Sequence, residues 1–342
     1  MSKFTLFPFA AATLLVLAAG AGPARAQAPD GLIIRSFVSA GGNDAHGCTR
    51  PAPCRTLSAA LAKTAAGGTI SIIDAGGYGT VTIDKAINII NDGAGTASIL
   101  VPQGEIGVFV KDPFYEARVY LRGLTIEGAN VGSTGVLVNS ARAVSIENCV
   151  IRNLFGGILF SPETSNVASN KPFMAQSALT VANTTIADIG GVAVLIVPGD
   201  IGVVKAALRG VRVFNNLEMG IQVIGGASRQ PIDVTISDSL VTQNGQGIVA
   251  NTSTTQAPVK VMVTGSTVAH SFFTGLQASA SPPDPDKPDI KSIAEIWIGQ
   301  STVFGNTTGV EATGGAFLRS FGDNYMAGNQ TDGTPTATAT RK

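Results

Sequence analysis

The chain has 342 residues, 44% of them hydrophobic, 13% charged, and a formal net charge of zero. With no basic stripe to release phosphate counterions, nucleic acid is excluded as a partner. Its 41 glycines and 6% aromatics point to many turns and short strands rather than many helices.

The N-terminus reads as an export signal. Lys3 gives the positive start, Ala10 to Leu17 the apolar core, and Ala24-Arg25-Ala26 a small-x-small cleavage site, so residues 1–26 are expected to be removed. No later run is long and apolar enough to span a bilayer. The mature chain is therefore expected outside the cytoplasm, secreted or periplasmic. Cys48 and Cys54 flank Thr-Arg-Pro-Ala-Pro, a tight loop suited to a disulfide in that oxidising setting. A metal reading of this loop has only His46 nearby to add a ligand, which is too few.

Residues 27–68 read as a first unit. A strand at 32–40 precedes the Cys loop, and a helix follows from an N-cap at Thr56, with Leu57 and Leu61 on one face and Gly67-Gly68 as its stop. One amphipathic helix ahead of a β array is what an end-cap needs. Residues 69–330 carry short strands throughout, and residues 331–342 are expected to form a flexible Thr/Pro-rich tail.

From Val119 the strands repeat. Anchored on Ile126, Ile151, Ile186, Val213, Val241, Val268, Val303 and Tyr325, the intervals run from 22 to 35 residues, the longest containing insertions near 161–178 and 279–293. The positions seven and five before each anchor are aliphatic, as in Val234 and Ile236, and two residues apart they face one interior. Three before the anchors stand Gly123, Asn148, Asn183, Gly210, Asp238, Gly265, Gln300 and Gly322, nearly all residues that tolerate left-handed backbone, so the chain turns sharply there. Two before the anchors is a small inward column containing Cys149, read as an inert buried thiol. A polar corner follows each anchor (Asn153, Asp188, Asn215, Gln243, His270), then a strand opening with Gly and an aliphatic residue. The expected fold is all-β: a right-handed parallel β-helix of three strands per rung and about ten rungs, with one tight corner and two variable ones, behind an N-terminal capping helix.

The Gly-Ile strands, the Asn/Gly corner column, the helix after Pro-Cys-Arg-Thr-Leu and the run Thr-Ile-Ser-Ile-Ile-Asp-Ala-Gly-Gly-Tyr-Gly resemble the pectin-lyase-like superfamily, and more narrowly its small secreted bacterial β-helix proteins of unassigned activity. The resemblance covers nearly all of the mature chain. It implies a fold, and a substrate lying along the outside of the Gly-Ile sheet when such a protein is an enzyme, without choosing an activity.

On that sheet the outward column is Phe109, Leu137, Leu159, Leu195, Gln222, Val249, Gln277 and Glu311. Hydrolases of this kind need clustered Asp residues, and lyases an Arg or Lys base with acidic Ca²⁺ ligands. The column offers one carboxylate, Glu311, at its far end. Elsewhere Arg152 and Glu147 are the remaining catalytic candidates, in a group with Arg122 and Glu127. As ladder neighbours, Arg122 with Glu147 and Glu127 with Arg152 equally suit surface ion pairs that fix register. The apolar members Phe109 to Leu195, with Gln222 and Gln277, suit a docking platform for sugar or protein; alternatively the 161–178 loop, carrying Phe173 and Met174, folds over the apolar part.

No cofactor or metal is expected. The acidic loop at 283–289 could hold Ca²⁺ but lacks calcium-turn spacing and reads as a solvated insertion. The resulting expectation is an exported, non-catalytic scaffold with polysaccharide or a cell-surface component as partner. The alternatives are a polysaccharide lyase or glycoside hydrolase, and a homotrimer or surface adhesin.

Overall fold

The structure, a computed structural model of the chain, describes residues 31–163, 176–199, 203–226, 230–253, 257–281 and 293–340. It is a right-handed parallel β-helix. One sheet has twelve parallel strands in strict chain order, beginning at Ile33–Val38 and Thr64–Ile72, running through Arg118–Arg122, Ala143–Glu147 and Ile232–Ser237, and ending at Ala294–Gly299, Phe317–Ser320 and Ala337–Thr338. Between successive strands of this sheet the chain builds two further faces. A short second-face strand, such as Arg212–Phe214 or Leu240–Thr242, follows the tight corner. A third-face strand opening near Gly-aliphatic, such as Met219–Ile224 or Gln246–Thr252, follows that. Each strand pairs in parallel with its counterparts one rung before and after, so backbone polar groups are satisfied between rungs.

Side-chain alternation decides what fills the interior. Strand Ile232–Ser237 alternates buried and exposed along its length, with Ile232, Val234 and Ile236 inward, and its neighbours repeat the pattern in register. Stacked columns of Ile, Val and Leu therefore run the length of the molecule as one core.

The tight corner is as expected. Gly123, Asn148, Asn183, Gly210, Asp238, Gly265, Gln300 and Gly322 all have positive φ, between +49° and +78°. The inward column beside it is also a hydrogen-bonded ladder. The backbone N–H of Ser239 donates to Ser266 Oγ at 3.1 Å and that of Ser266 to Ser301 Oγ at 3.2 Å. Each hydroxyl donates back to the carbonyl two residues earlier, for example Ser239 to Ser237 at 2.7 Å. Small hydroxyl residues belong there because they satisfy the corner's backbone.

Four details differ from the sequence expectation. The second corner is not variable: Asn153, Asp188, Asn215, Gln243, His270, Gly305 and Gly328 all have φ between +54° and +72°. The last anchor is one residue out, because Val303 pairs with Met326, leaving Tyr325 on the surface; the corner at Gly322 carries one extra residue. The helix Leu57–Lys63 is capped by Thr56 as expected, accepting from the Ala59 N–H at 3.2 Å, but it ends at Thr64 in extended backbone, and a strand begins there instead of at a Gly67 stop. The C-terminal stretch does not simply fray, since Arg319 and Ser320 pair with Ala337 and Thr338. Its Thr336 also bonds the Leu318 N–H through Oγ1 at 2.9 Å.

The N-terminal end is held by the Cys48–Cys54 disulfide, both cysteines being fully buried. Asp44 ties this loop to the helix start, accepting from the backbone N–H groups of Arg55 at 2.7 Å and Thr56 at 2.9 Å. The expected export signal (1–26), most of the 161–178 loop and the acidic 283–289 loop lie outside the described residues. No helix among the described residues is long and apolar enough to cross a membrane.

Candidate functional site

The third face carries the expected outward column without a slip. Thr82 pairs with Phe109, Phe109 with Leu137, Leu137 with Leu159, and Leu159 with Leu195. The ladder continues Leu195 to Gln222, Gln222 to Val249, Val249 to Gln277 and Gln277 to Glu311. Nine residues stack at roughly 4.8 Å per step, a stripe about 38 Å long. The period-2 rule places them outward, yet only Thr82 is exposed; seven are half-buried, and Val249 is 1% exposed between its two glutamine neighbours. Beside Phe109 a depression of about 230 Å³ is lined by Thr82, Gly104, Glu105 and Ile106.

The last two members of the column, Gln277 and Glu311, are bonded to each other and to Gln246 beside them. Gln246 donates from Nε2 to Gln277 Oε1 at 3.0 Å, and Gln277 donates from Nε2 to Glu311 Oε2 at 2.8 Å. Glu311 thus sits at the end of an amide relay.

The other two catalytic candidates lie elsewhere. Glu147 ends a strand of the first sheet, and Arg152 is on the second face around the tight corner. Arg152 Nε lies 2.6 Å from Glu127 Oε2, and Glu127 Oε1 also accepts from Asn153 Nδ2 at 2.6 Å. That pair is the expected ladder neighbour. The other is altered: Arg122 stands opposite Glu147 in register but its Nε is 3.2 Å from Asp92, while Glu147 accepts the Tyr120 hydroxyl proton. Burial, then the bond and charge of Glu147, push the Tyr120 hydroxyl above the ordinary tyrosine value, so it stays a donor. The Asp92 carboxylate does the same for the Arg122 guanidinium. From Glu147 to Glu311 there are five rungs, about 24 Å along the axis. Paired carboxylates of glycoside hydrolysis stand about 5–10 Å apart, so Glu147 and Glu311 do not form one constellation. His270 is a corner residue at φ +54°, edge-on to Phe304 at 5.9 Å. Among the described residues no group of three His, Cys, Asp or Glu could hold a metal ion.

Residues 67–268 match the family described as right handed beta helix region. The chain belongs to this β-helix family. No curated protein matches it in sequence. Among solved structures it is similar to pectate lyase Pel9A, with a TM-score of 0.59 at 15% identity, covering 90% of this chain and 78% of that one. It is more distantly similar to the A-module of the Azotobacter vinelandii mannuronan C-5 epimerase AlgE4, with a TM-score of 0.43 at 14% identity, covering 80% of this chain and 91% of that one. At such identities the pectate lyase likeness shows the pectin-lyase-like fold and nothing of activity.

A second concavity lies outside every sequence-based expectation. It opens on the outer face of the first sheet around Trp297, close to the C-terminal strands. The signal that could have found it is the bulky outward run Met262, Trp297, Arg319, set beside the short side chains of Ala207 and Thr235.

Proposed function

We propose that this β-helix is an exported, non-catalytic scaffold that holds a polysaccharide, free or on a cell surface, lengthwise along its third face. The in-register third-face column, accessible on either side of the buried Val249, carries the reading. Phe109, Leu137, Leu159 and Leu195 offer an apolar floor in register, and Gln222 and Gln277 continue it with amides that both donate and accept. A ladder of about 38 Å, held by parallel pairing at every rung, suits an extended chain molecule, and its preorganisation limits the ordering cost of binding. The distribution of Glu147, Arg152 and Glu311 over three faces supports binding over lyase or hydrolase chemistry, as does the engagement of each carboxylate by a neighbour.

The test is a panel of uronate and neutral polysaccharides, scored for binding and for product. Binding is expected to fall at least tenfold in Leu159→Asp and to persist in Glu311→Gln and Arg152→Ala. Unsaturated or reducing ends that accumulate with wild type, and vanish in Arg152→Ala or Glu311→Gln, would overturn the non-catalytic reading in favour of a lyase or hydrolase.

A further inference from the structure

The first sheet presents a groove of about 750 Å³ near its C-terminal end. Two outward columns build it. In one, Thr235 is followed by Met262, Trp297 and Arg319; in the other, Asp233 is followed by Lys260 and Glu295. Thr235 is short, so the floor drops on one side of the indole. Phe321 and Thr340 close the opposite end.

Trp297 is fixed in place before any ligand arrives. Its Nε1 donates to Glu295 Oε2 at 3.2 Å, and its ring lies 6.0 Å from that of Phe321 at 37°. The Arg319 guanidinium stacks over the indole at 5.1 Å and over Phe317 at 4.7 Å, while its Nη2 bonds Glu295 Oε1 at 3.1 Å. Arg319 stacks on the indole without lining the groove, whereas Trp297 and its register neighbour Met262 both line it. Glu295 is engaged twice. Asp233, Thr235 and Lys260, by contrast, have no side-chain partner among the described residues.

We propose that this groove binds a pyranose unit of a neutral glycan, with the apolar face of the ring on Trp297 and its hydroxyls on Asp233, Lys260 and Thr235. The charge pattern selects the occupant. The free groups are one carboxylate, one ammonium and one hydroxyl, with no net charge between them. A neutral polyol can satisfy an acceptor and a donor together, whereas a uronate that pairs with Lys260 is set against the adjacent Asp233, and an amino sugar that pairs with Asp233 against the adjacent Lys260. Apolar walls with a few convergent polar groups are the usual make-up of a small-molecule site, and an aromatic ring already held by neighbours loses little freedom on binding. The site is on a different face from the column assigned above and does not depend on it.

Trp297 is the chain's one tryptophan, so its fluorescence reports this groove alone. The full chain is titrated with cello-, manno- and malto-hexaose and with an oligogalacturonate. A saturable emission change is expected with at least one neutral series, at least tenfold weaker with the uronate, and at least tenfold weaker in Asp233→Ala/Lys260→Ala. Those residues lie on the exposed face, so an unchanged starting spectrum certifies the fold of the variant. Trp297→Phe, followed by calorimetry with its fold checked by circular dichroism, is expected to bind at least tenfold more weakly. The assignment is overturned by silence of all three neutral series up to about 10 mM, by tighter uronate binding, or by unchanged affinity in either variant. Leu159→Asp lies on the other face and is expected to leave the emission change intact; loss of that change in this variant would also overturn the assignment.

Discussion

Asn216 donates from Nδ2 to Oδ1 of Asn244, one rung on, at 2.7 Å, and the same oxygen accepts from the Asn216 backbone N–H at 3.3 Å. Asn306 and Asn329 repeat the arrangement three rungs later, at 2.9 Å for both bonds. These amides line the second corner and are buried or nearly so. Asn244, Asn306 and Asn329 each fill the space left by a glycine of the preceding third-face strand, whereas Asn216 follows Ala193. A Cβ on Gly220 would stand 2.9 Å from Asn244 Nδ2, and one on Gly275 the same distance from Asn306 Nδ2.

Asn244→Ala should therefore strand two buried donors on Asn216 and cost about 1–3 kcal/mol, read as a lower urea midpoint. Ser271 occupies the missing position between Asn244 and Asn306, and its buried Oγ has no partner. Gly247 stands where the pattern requires a glycine for an asparagine at 271. Ser271→Asn should close the ladder and raise stability by about 1 kcal/mol.

The positive-φ corners leave a second opening for stabilisation. Gln300 is exposed at φ +52° in a column where Gly123, Gly210 and Gly265 also stand. A left-handed conformation costs a side-chain-bearing residue about 1–2 kcal/mol, part of which glycine returns as chain entropy in the unfolded state. Gln300→Gly should gain up to about 1 kcal/mol, and a lower melting midpoint would contradict this.

Acid should loosen the N-terminal end. Burial alone would raise the Asp44 and Asp74 carboxyls. For Asp44, bonds from the Thr56 and Arg55 backbones and the Thr56 hydroxyl outweigh it; for Asp74, bonds from Ser39, Tyr78 and the Ala40 N–H do. Both end below the ordinary 3.8. A depressed carboxyl contributes stability that is complete above its unfolded value and lost as pH falls through the folded one. Thermal melts should thus hold steady down to about pH 4 and drop below it, with a smaller drop in Asp44→Asn/Asp74→Asn.

Cys149 should be silent until the chain unfolds. Burial pushes its thiol up to about 11, and it is 2% exposed in the core. With Cys48 and Cys54 joined, it is the single free thiol. A thiol reagent at neutral pH should find no group in the native protein and one per chain in denaturant. Native labelling at a comparable rate would show that the rung around Cys149 opens.

The columns at Val234, Ile236 and Asp238 were legible in the sequence because strand period and left-handed tolerance each restrict residue type strongly at every repeat. The outward register from Phe109 to Glu311 was legible for the same reason. The asparagine ladder was not, since it begins only after Leu154 and Ile189 and is broken at Ser271, so no single column spells it out. Tyr325 misled because it shares aliphatic-like bulk with the anchors, while one extra corner residue moved Met326 into register. Trp297 carried no periodic signal. An outward position is unconstrained by the core, and its meaning comes from Arg319, Phe321 and Thr340, which only the fold brings beside it.

The pairing of Arg319 and Ser320 with Ala337 and Thr338 has a mechanical consequence. Each coil of a solenoid is held only by its neighbours, so opening starts at the ends, and this terminal strand offers few bonds to resist it. Thr340 goes with it. Peeling those residues away would open one end of the Trp297 groove while the coils beneath stayed wound.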